Sequence, residues 1–329
     1  MDFDGDGIDD LISGSYDPGA LYLFRGQGGG EFKARETITD KSGKPVLLYP
    51  DQEVPYESFG SWVAMVDWDA DGDLDLVLGG YRGEVMVRFN EGTRKEPSFA
   101  TKNVPVQLNG KDLTVPGHHA TPVIADWDGD GTWDLLSGSD NGAVYWYRNV
   151  GKKGAPEFAE PVTLVPEHKG IGYEEFLDIG EEPKPGIRSQ IAVADYDGDG
   201  KLDLLLGDFC TNVSPKRDLT EEQRKEMFAL LKKSEDATAE ARALMEKYRS
   251  EALEYQKTFP EEKRRSKEVQ DKVNEKFQQL YKSKEMQEKQ QACEKLGKEL
   301  KQYLAGPEKP SPISPGATPH GYVWLFLRK

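Results

Sequence analysis

The sequence predicts an all-β protein of repeated sheets with a helical hairpin inserted near its end, and three observations carry that prediction. A ten-residue acidic pattern occurs four times: DFDGDGIDDL from Asp2, DWDADGDLDL from Asp67, DWDGDGTWDL from Asp126 and DYDGDGKLDL from Asp195. The copies begin 65, 59 and 69 residues apart, a period that suits one small sheet per repeat. Between residues 209 and 320 the strand-like pattern gives way to apolar residues at helical spacing.

Each copy of the pattern places Asp at positions 1, 3, 5 and 9. Carboxylates at alternate positions repel one another unless a hard cation sits among them, and a loop offering them in this order can curl around one ion. The turn needs glycine at position 6, where Gly7, Gly72, Gly131 and Gly200 stand. Position 7 varies freely in chemistry, as expected where only a backbone carbonyl faces the ion. The expected ligands are therefore Asp2, Asp4, Asp6, Ile8 and Asp10 in loop one, and Asp67, Asp69, Asp71, Asp73 and Asp75 in loop two. Loop three offers Asp126, Asp128, Asp130, Thr132 and Asp134, and loop four Asp195, Asp197, Asp199, Lys201 and Asp203. An all-oxygen set without His or Cys selects calcium over zinc or copper, and about four ions are expected; magnesium fits less well because it demands a rigid octahedron with several waters. An isolated DxDG is an ordinary turn, but four copies of the full pattern are not. An EF-hand is excluded because position 12, its bidentate Glu, is here Ser13, Leu78, Ser137 and Leu206. After each loop comes a short apolar run ending in Gly14, Gly79, Gly138 or Gly207, which reads as a buried strand closed by a turn.

Further strands surround these runs. Before the last three loops come Trp62 to Val66, Pro122 to Ala125 and Ile191 to Ala194; after them come ALYLFRG from Ala20, EVMVRFNEG from Glu84, AVYWYRNVG from Ala143 and YVWLFLRK from Tyr322. A fourth strand comes next at EFKARETI, PSFATKNVPVQL and PEFAEPVTLV. Four antiparallel strands rich in aromatic and β-branched residues are the content of a propeller blade. The DxDGDGxxDLLxG core, succeeded by GxVxxYxN and PxF, resembles the FG-GAP/VCBS repeats of integrin-type β-propellers over most of residues 1–210 and again at 321–329. The resemblance implies that each loop joins the first two strands of a blade and binds calcium. Repeat two departs from the pattern with Ala70 at position 4 and Asp73 at position 7, which suggests a slightly different loop path without loss of a ligand. The blades hold three, four, four and three strands, and a propeller normally closes by pairing its two chain ends in one blade. That count leaves two readings: a fragment of a larger propeller, or an open arc of about four blades completed by another chain.

The last blade carries the insertion, so the expected organisation is 1–208 for the blades, 209–320 for a helical hairpin with a Pro-rich return, and 321–329 for the returning strand. A capping box, Thr220 with Gln223, opens the first helix. Apolar residues from Met227 to Tyr255 line one face of it. Thr258 to Glu262 is a stop and restart with Pro260 in a first-turn position. The second helix carries Val269 to Leu304, with a break near Ser283 and Gly306 at its end. The first arm, residues 221–257, would reach roughly 55 Å. Its stripe offers either a docking and self-association surface or internal packing.

The formal charge of −16 argues against a nucleic-acid partner. Positions 1, 3, 5 and 9 of the four loops hold sixteen of the acidic residues, and four divalent ions would offset half of the net charge. This sequence shows no apolar stretch long enough to span a membrane and no legible signal peptide, yet calcium loops of this kind lead us to expect an extracytoplasmic setting. Cys210 and Cys293 are the two cysteines, and free or buried thiols suit them better than a bridge. His118, His119, His168 and His320 stand beside no nucleophile, and no catalytic constellation is legible. Trp68, Trp127 and Tyr196 all occupy loop position 2, where they could form an aromatic sugar-binding rim or pack between blades. The preferred function is a non-catalytic, calcium-stabilised propeller that binds a protein or glycan. The alternative is a polysaccharide-active propeller enzyme resembling a lyase, or the accessory domain of one.

Overall fold

The computed structural model describes residues 1–16, 19–48, 61–168, 174–260, 263–264, 266–305 and 318–328. The chain divides into two compact units, one of residues 1–169, 184–210 and 321–329 and one of residues 170–183 and 211–320. In the first, antiparallel sheets succeed one another along the sequence. Sheet one pairs Leu11–Ser13, Tyr22–Phe24 and Glu36–Thr37. Sheet two runs Trp62–Val66, Asp75–Gly79, Val85–Arg88 and Val104–Pro105, and sheet three Thr121–Ala125, Asp134–Gly138, Val144–Tyr147 and Val162–Val165, each in sequence order. The fourth pairs Ile187–Ala194 with Asp203–Val213 and the latter with Val323–Phe326. Two acceptors on Asp208 fix the return: Oδ1 takes the Tyr322 N–H at 2.8 Å, and Oδ2 takes Trp324 Nε1 at 2.8 Å and the Gly186 N–H at 2.6 Å.

The second strand of the last sheet differs from expectation. It does not stop at Gly207 but runs on to Val213, and Glu174–Phe176 pairs in parallel with Thr211–Val213. The earlier strands stop at glycine for a packing reason that Gly207 lacks. A Cβ on Gly14, Gly79 or Gly138 would lie 1.7, 2.1 or 2.1 Å from the carbonyl oxygen of Ser61, Ala120 or Ser189, where the next sheet begins. The same crossing is tied by backbone bonds from Ser61, Ala120 and Ser189 to the carbonyls of Ser15, Gly80 and Ser139. At Gly207 the nearest atom would be Gln190 O at 3.6 Å, an ordinary contact. Gly138→Ala should therefore destabilise the unit by about 1–3 kcal/mol through overpacking, while Gly207→Ala stays within about 0.5 kcal/mol. Urea midpoints of the two variants check this, and equal midpoints would remove the close approach as the reason for glycine.

The core lies between successive sheets. Leu21, Leu23, Leu76 and Leu78 meet between sheets one and two, Val77, Val85, Leu135 and Tyr147 between two and three, and Leu136, Val144, Leu204 and Leu206 between three and four. Loop position 2 plugs these seams. Phe3 belongs to the first cluster, Trp68 to the second and Trp127 to the third, each less than a tenth exposed. Only Tyr196, in the last repeat, is open at 63%. Trp68 and Trp127 thus pack between sheets, Trp68 against Trp133 and Phe158, and do not stand on a rim with Tyr196.

In the second unit, α1 (Glu221–Lys257) opens on the Thr220 capping box expected from the sequence. The second expected helix is two, α2 (Lys267–Tyr281) and α3 (Lys284–Lys301). Ser266, not Pro260, starts α2, its Oγ accepting the Val269 N–H. Ser283 breaks the helices apart by capping α3, its Oγ meeting both the Met286 N–H at 3.3 Å and Tyr248 Oη at 2.9 Å. Helix α3 ends at Lys301, so Leu304 is not helical but bridges to Pro215; Gly306 lies outside the described residues. The apolar stripe of α1 is internal: Met227 packs with Leu300, Leu244 and Tyr248 with Met286, and Ala252 with Val269 and Val273. Cys210 and Cys293 form no disulfide. Among the described residues no helix is long and apolar enough to cross a membrane.

Candidate metal centres

Loops two, three and four each join the first and second strands of their sheets, and loop one leads into Leu11–Ser13. The pattern bends because two positions take positive φ. At position 6 the glycines lie at φ 86° to 101°, and at position 4 Gly5, Gly129 and Gly198 lie at 73° to 78°. Ala70 adopts φ 65° in the same place, so loop two keeps the common path despite its substitution. It does so at roughly 1–2 kcal/mol of left-handed strain.

With the loop so curled, the carboxylates at positions 1, 3 and 5 converge. Asp2, Asp4 and Asp6 present one oxygen each within 4.8 Å of one another, as do Asp67, Asp69 and Asp71, Asp126, Asp128 and Asp130, and Asp195, Asp197 and Asp199. Backbone amides hold the first of them: Asp126 accepts the Gly129 and Gly131 N–H groups at 2.9 and 3.0 Å, and Asp195 those of Gly198 and Gly200 at 2.8 and 3.1 Å.

Position 9 sits apart from this triple and has a structural task that spacing alone did not reveal. Asp10 lies just before a strand and Asp75, Asp134 and Asp203 begin one. Each carboxylate spans two backbone donors, one on position 2 of its own loop and one just past the strand that pairs next with the strand after the loop. Asp134 accepts from Trp127 at 3.2 Å and Asn149 at 2.7 Å, Asp75 from Trp68 at 3.0 Å and Asn90 at 2.7 Å. Asp10 does so with Phe3 and Gly26, both at 2.8 Å, and Asp203 with Tyr196 at 2.9 Å and Arg328 at 2.8 Å.

The loops differ in charge balance. Arg25 pairs with Asp4, and Arg94 approaches Asp2 at 3.9 Å. Arg148 pairs with Asp128 at 2.6 Å and Asp130 at 3.2 Å, and Lys201 lies 3.8 Å from Asp199. Among the described residues no Lys or Arg forms an ion pair with loop two. There Asp73 is 4% exposed, and burial together with the charges of Asp71, Asp69 and Asp67 pushes its carboxyl up to about 6. Burial likewise raises Asp75 to about 7, against the Asn90 and Trp68 N–H bonds and with the charges of Asp69 and Asp73. Asp130, by contrast, is held low, first by the Thr132 hydroxyl and amide and then by Arg148.

Calcium's requirements match this donor set. Every side chain in the triples offers hard oxygen. Asp4 Oδ1 and Asp73 Oδ1 are buried without a hydrogen-bond partner, and a buried carboxylate oxygen so placed calls for a cation. The residues present fit the ion.

A family model for the FG-GAP-like repeat matches residues 2–78, 67–137 and 126–206, each match running from one acidic loop through the strand after the next. The chain is also similar to cartilage acidic protein 1 of Xenopus tropicalis, 26% identical over 148 residues, which are 45% of this chain and 20% of that protein. The human protein of that name is 24% identical over 189 residues, 57% of this chain and 24% of its own length. The chain thus spans a quarter or less of the curated relatives it matches. With matches that together cover residues 2–206 of 329, the chain belongs to the FG-GAP-like repeat family.

Proposed function

We propose that this chain is a calcium-stabilised propeller module that works outside the cytosol and binds a protein or glycan without chemistry of its own. The convergence of three carboxylates in each of four loops carries this reading, joined by the orphaned oxygens of Asp4 and Asp73. In each loop positions 1, 3 and 5 would hold the ion, with the backbone carbonyl at position 7. Position 9 would add to the shell through the second lone pair that each oxygen keeps after accepting one N–H. Each ion would join the first and second strands of a blade and neutralise charge that otherwise repels. Its chemistry is that of a hard cation binding oxygen, which orders the loop without entering a reaction.

Similarity to proteins named for cartilage and for acidity supports an extracellular setting, and the net charge of −16 is consistent with it. The sheets are read as blades, with the helical unit as an additional partner-docking element. Of the large apolar residues of α1, Leu253 is 55% exposed, and Phe228, 39% exposed, meets Phe176 edge-on.

Replacing Asp128 and Asp130 together by Ala should remove one ion. The melting temperature then falls by about 5–10 °C in calcium, the linkage from one site at a hundredfold its dissociation constant, and is unchanged in chelator. Differential scanning calorimetry in both buffers checks it; an equal drop in both would assign these carboxylates to folding rather than to the ion.

A further inference from the structure

Calcium loops of one pattern need not be equal, because affinity depends on the charge that the site presents and what already occupies it. Loops one, three and four each gather three carboxylates against at least one internal cation: Arg25 and Arg94, Arg148, and Lys201. Loop two gathers three carboxylates, adds Asp73 at position 7, and has no internal cation among the described residues. Asp73 carries an independent sign of a ligand, since it is 4% exposed and its Oδ1 has no partner; Asp4 Oδ1 in loop one is also unpartnered, but its other oxygen is held by Arg25.

The difference has a structural address. One residue before the N–H that caps each position-9 Asp stands Arg25, Phe89, Arg148 or Leu327. An arginine there reaches the position-3 carboxylate of its own loop, and a phenylalanine or leucine cannot. A cation entering loop one or three meets a guanidinium already held by that carboxylate in a charge-assisted hydrogen bond. Loop two has no arginine in that place: Lys41 and Lys102 line the cavity beside Asp69 and Asp71, but neither forms an ion pair with them, and Lys41 pairs with Glu91.

We propose that the four loops are graded, with loop two holding its divalent cation most tightly, and that Arg25 and Arg148 are internal counter-ions that weaken loops one and three. The inference rests on the reading of the loops as calcium sites. Such a chain keeps one ion as the surrounding calcium falls and gains the others as it rises, so the blades around loops one and three are the ones that respond to concentration.

Calorimetric titration of calcium chloride into the chelator-treated full chain tests this. The expected isotherm has one site at least tenfold tighter than the rest. Asp73→Asn weakens that site on the order of tenfold, and Arg148→Gln strengthens one weak site by a similar factor, as one unit charge close to a divalent ion would. Arg148 is half exposed and unneeded by the core, so its variant carries the test should Asp73→Asn fail to fold. Four equivalent sites that neither variant shifts overturn the grading and leave the calcium reading standing. No bound calcium in the folded parent chain overturns the calcium reading itself.

Discussion

Removing calcium from the intact chain should lower the melting transition of the repeat unit by about 5–10 °C for every site that had been saturated. The magnitude comes from linkage: a ligand at a hundred times its dissociation constant stabilises the folded state by about 2.7 kcal/mol, and for a unit of roughly 200 residues each kcal/mol moves the transition by about 2–4 °C. The physical source is the crowding of three carboxylates within 4.8 Å in each loop, made worse in loop two by buried Asp73. The helical unit holds no such cluster among the described residues and should melt at the same temperature in both buffers. Scanning calorimetry resolves the two transitions, with far-UV circular dichroism to track the helices. A repeat-unit transition that does not move on chelation contradicts the loops' role as cation cages.

Asp134→Ala should destabilise the chain by about 2–6 kcal/mol, and should do so in chelator as well as in calcium. Asp134 is fully buried and accepts the Trp127 and Asn149 N–H groups. Its loss leaves two buried donors unpaired at about 1–3 kcal/mol each. The comparison with the Asp128 and Asp130 double variant separates the two kinds of aspartate proposed: positions 3 and 5 acting through the ion, and position 9 also through the backbone. Chemical denaturation in calcium and in chelator measures both. A deficit for Asp134→Ala that vanishes in chelator would make position 9 a ligand alone.

That distinction marks what the sequence could and could not reveal. The loops were legible because glycine at position 6 and alternating acids leave few other conformations, and the strands after them because short apolar runs flanked by glycine are poor helices. The cap at Thr220 and the break at Ser283 were legible because a hydroxyl before a helical turn has a local partner. Direction and distance were not. Spacing places Asp134 in the pattern but does not say that its oxygens turn towards Trp127 and Asn149. Arg25 lies 21 residues from Asp4, and nothing local joins them until the second strand of the sheet forms. Arg88 sits within what reads as an ordinary strand, yet it is fully buried and donates to Leu47, Ala100 and Asn103 from far along the chain. Trp68 and Trp127 occupy a loop position that spacing could assign to a rim; only the neighbouring sheet shows that they fill a seam. The continuation past Gly207 was hidden for a similar reason, since the glycine that ends the other strands does so because another chain segment crosses it.

The most direct measurement is the metal content of the folded chain, dialysed against millimolar calcium and analysed by mass spectrometry of the elements. About four calcium ions per chain are predicted, one for each loop. Fewer than one per folded chain would contradict the assignment of the acidic loops as calcium sites.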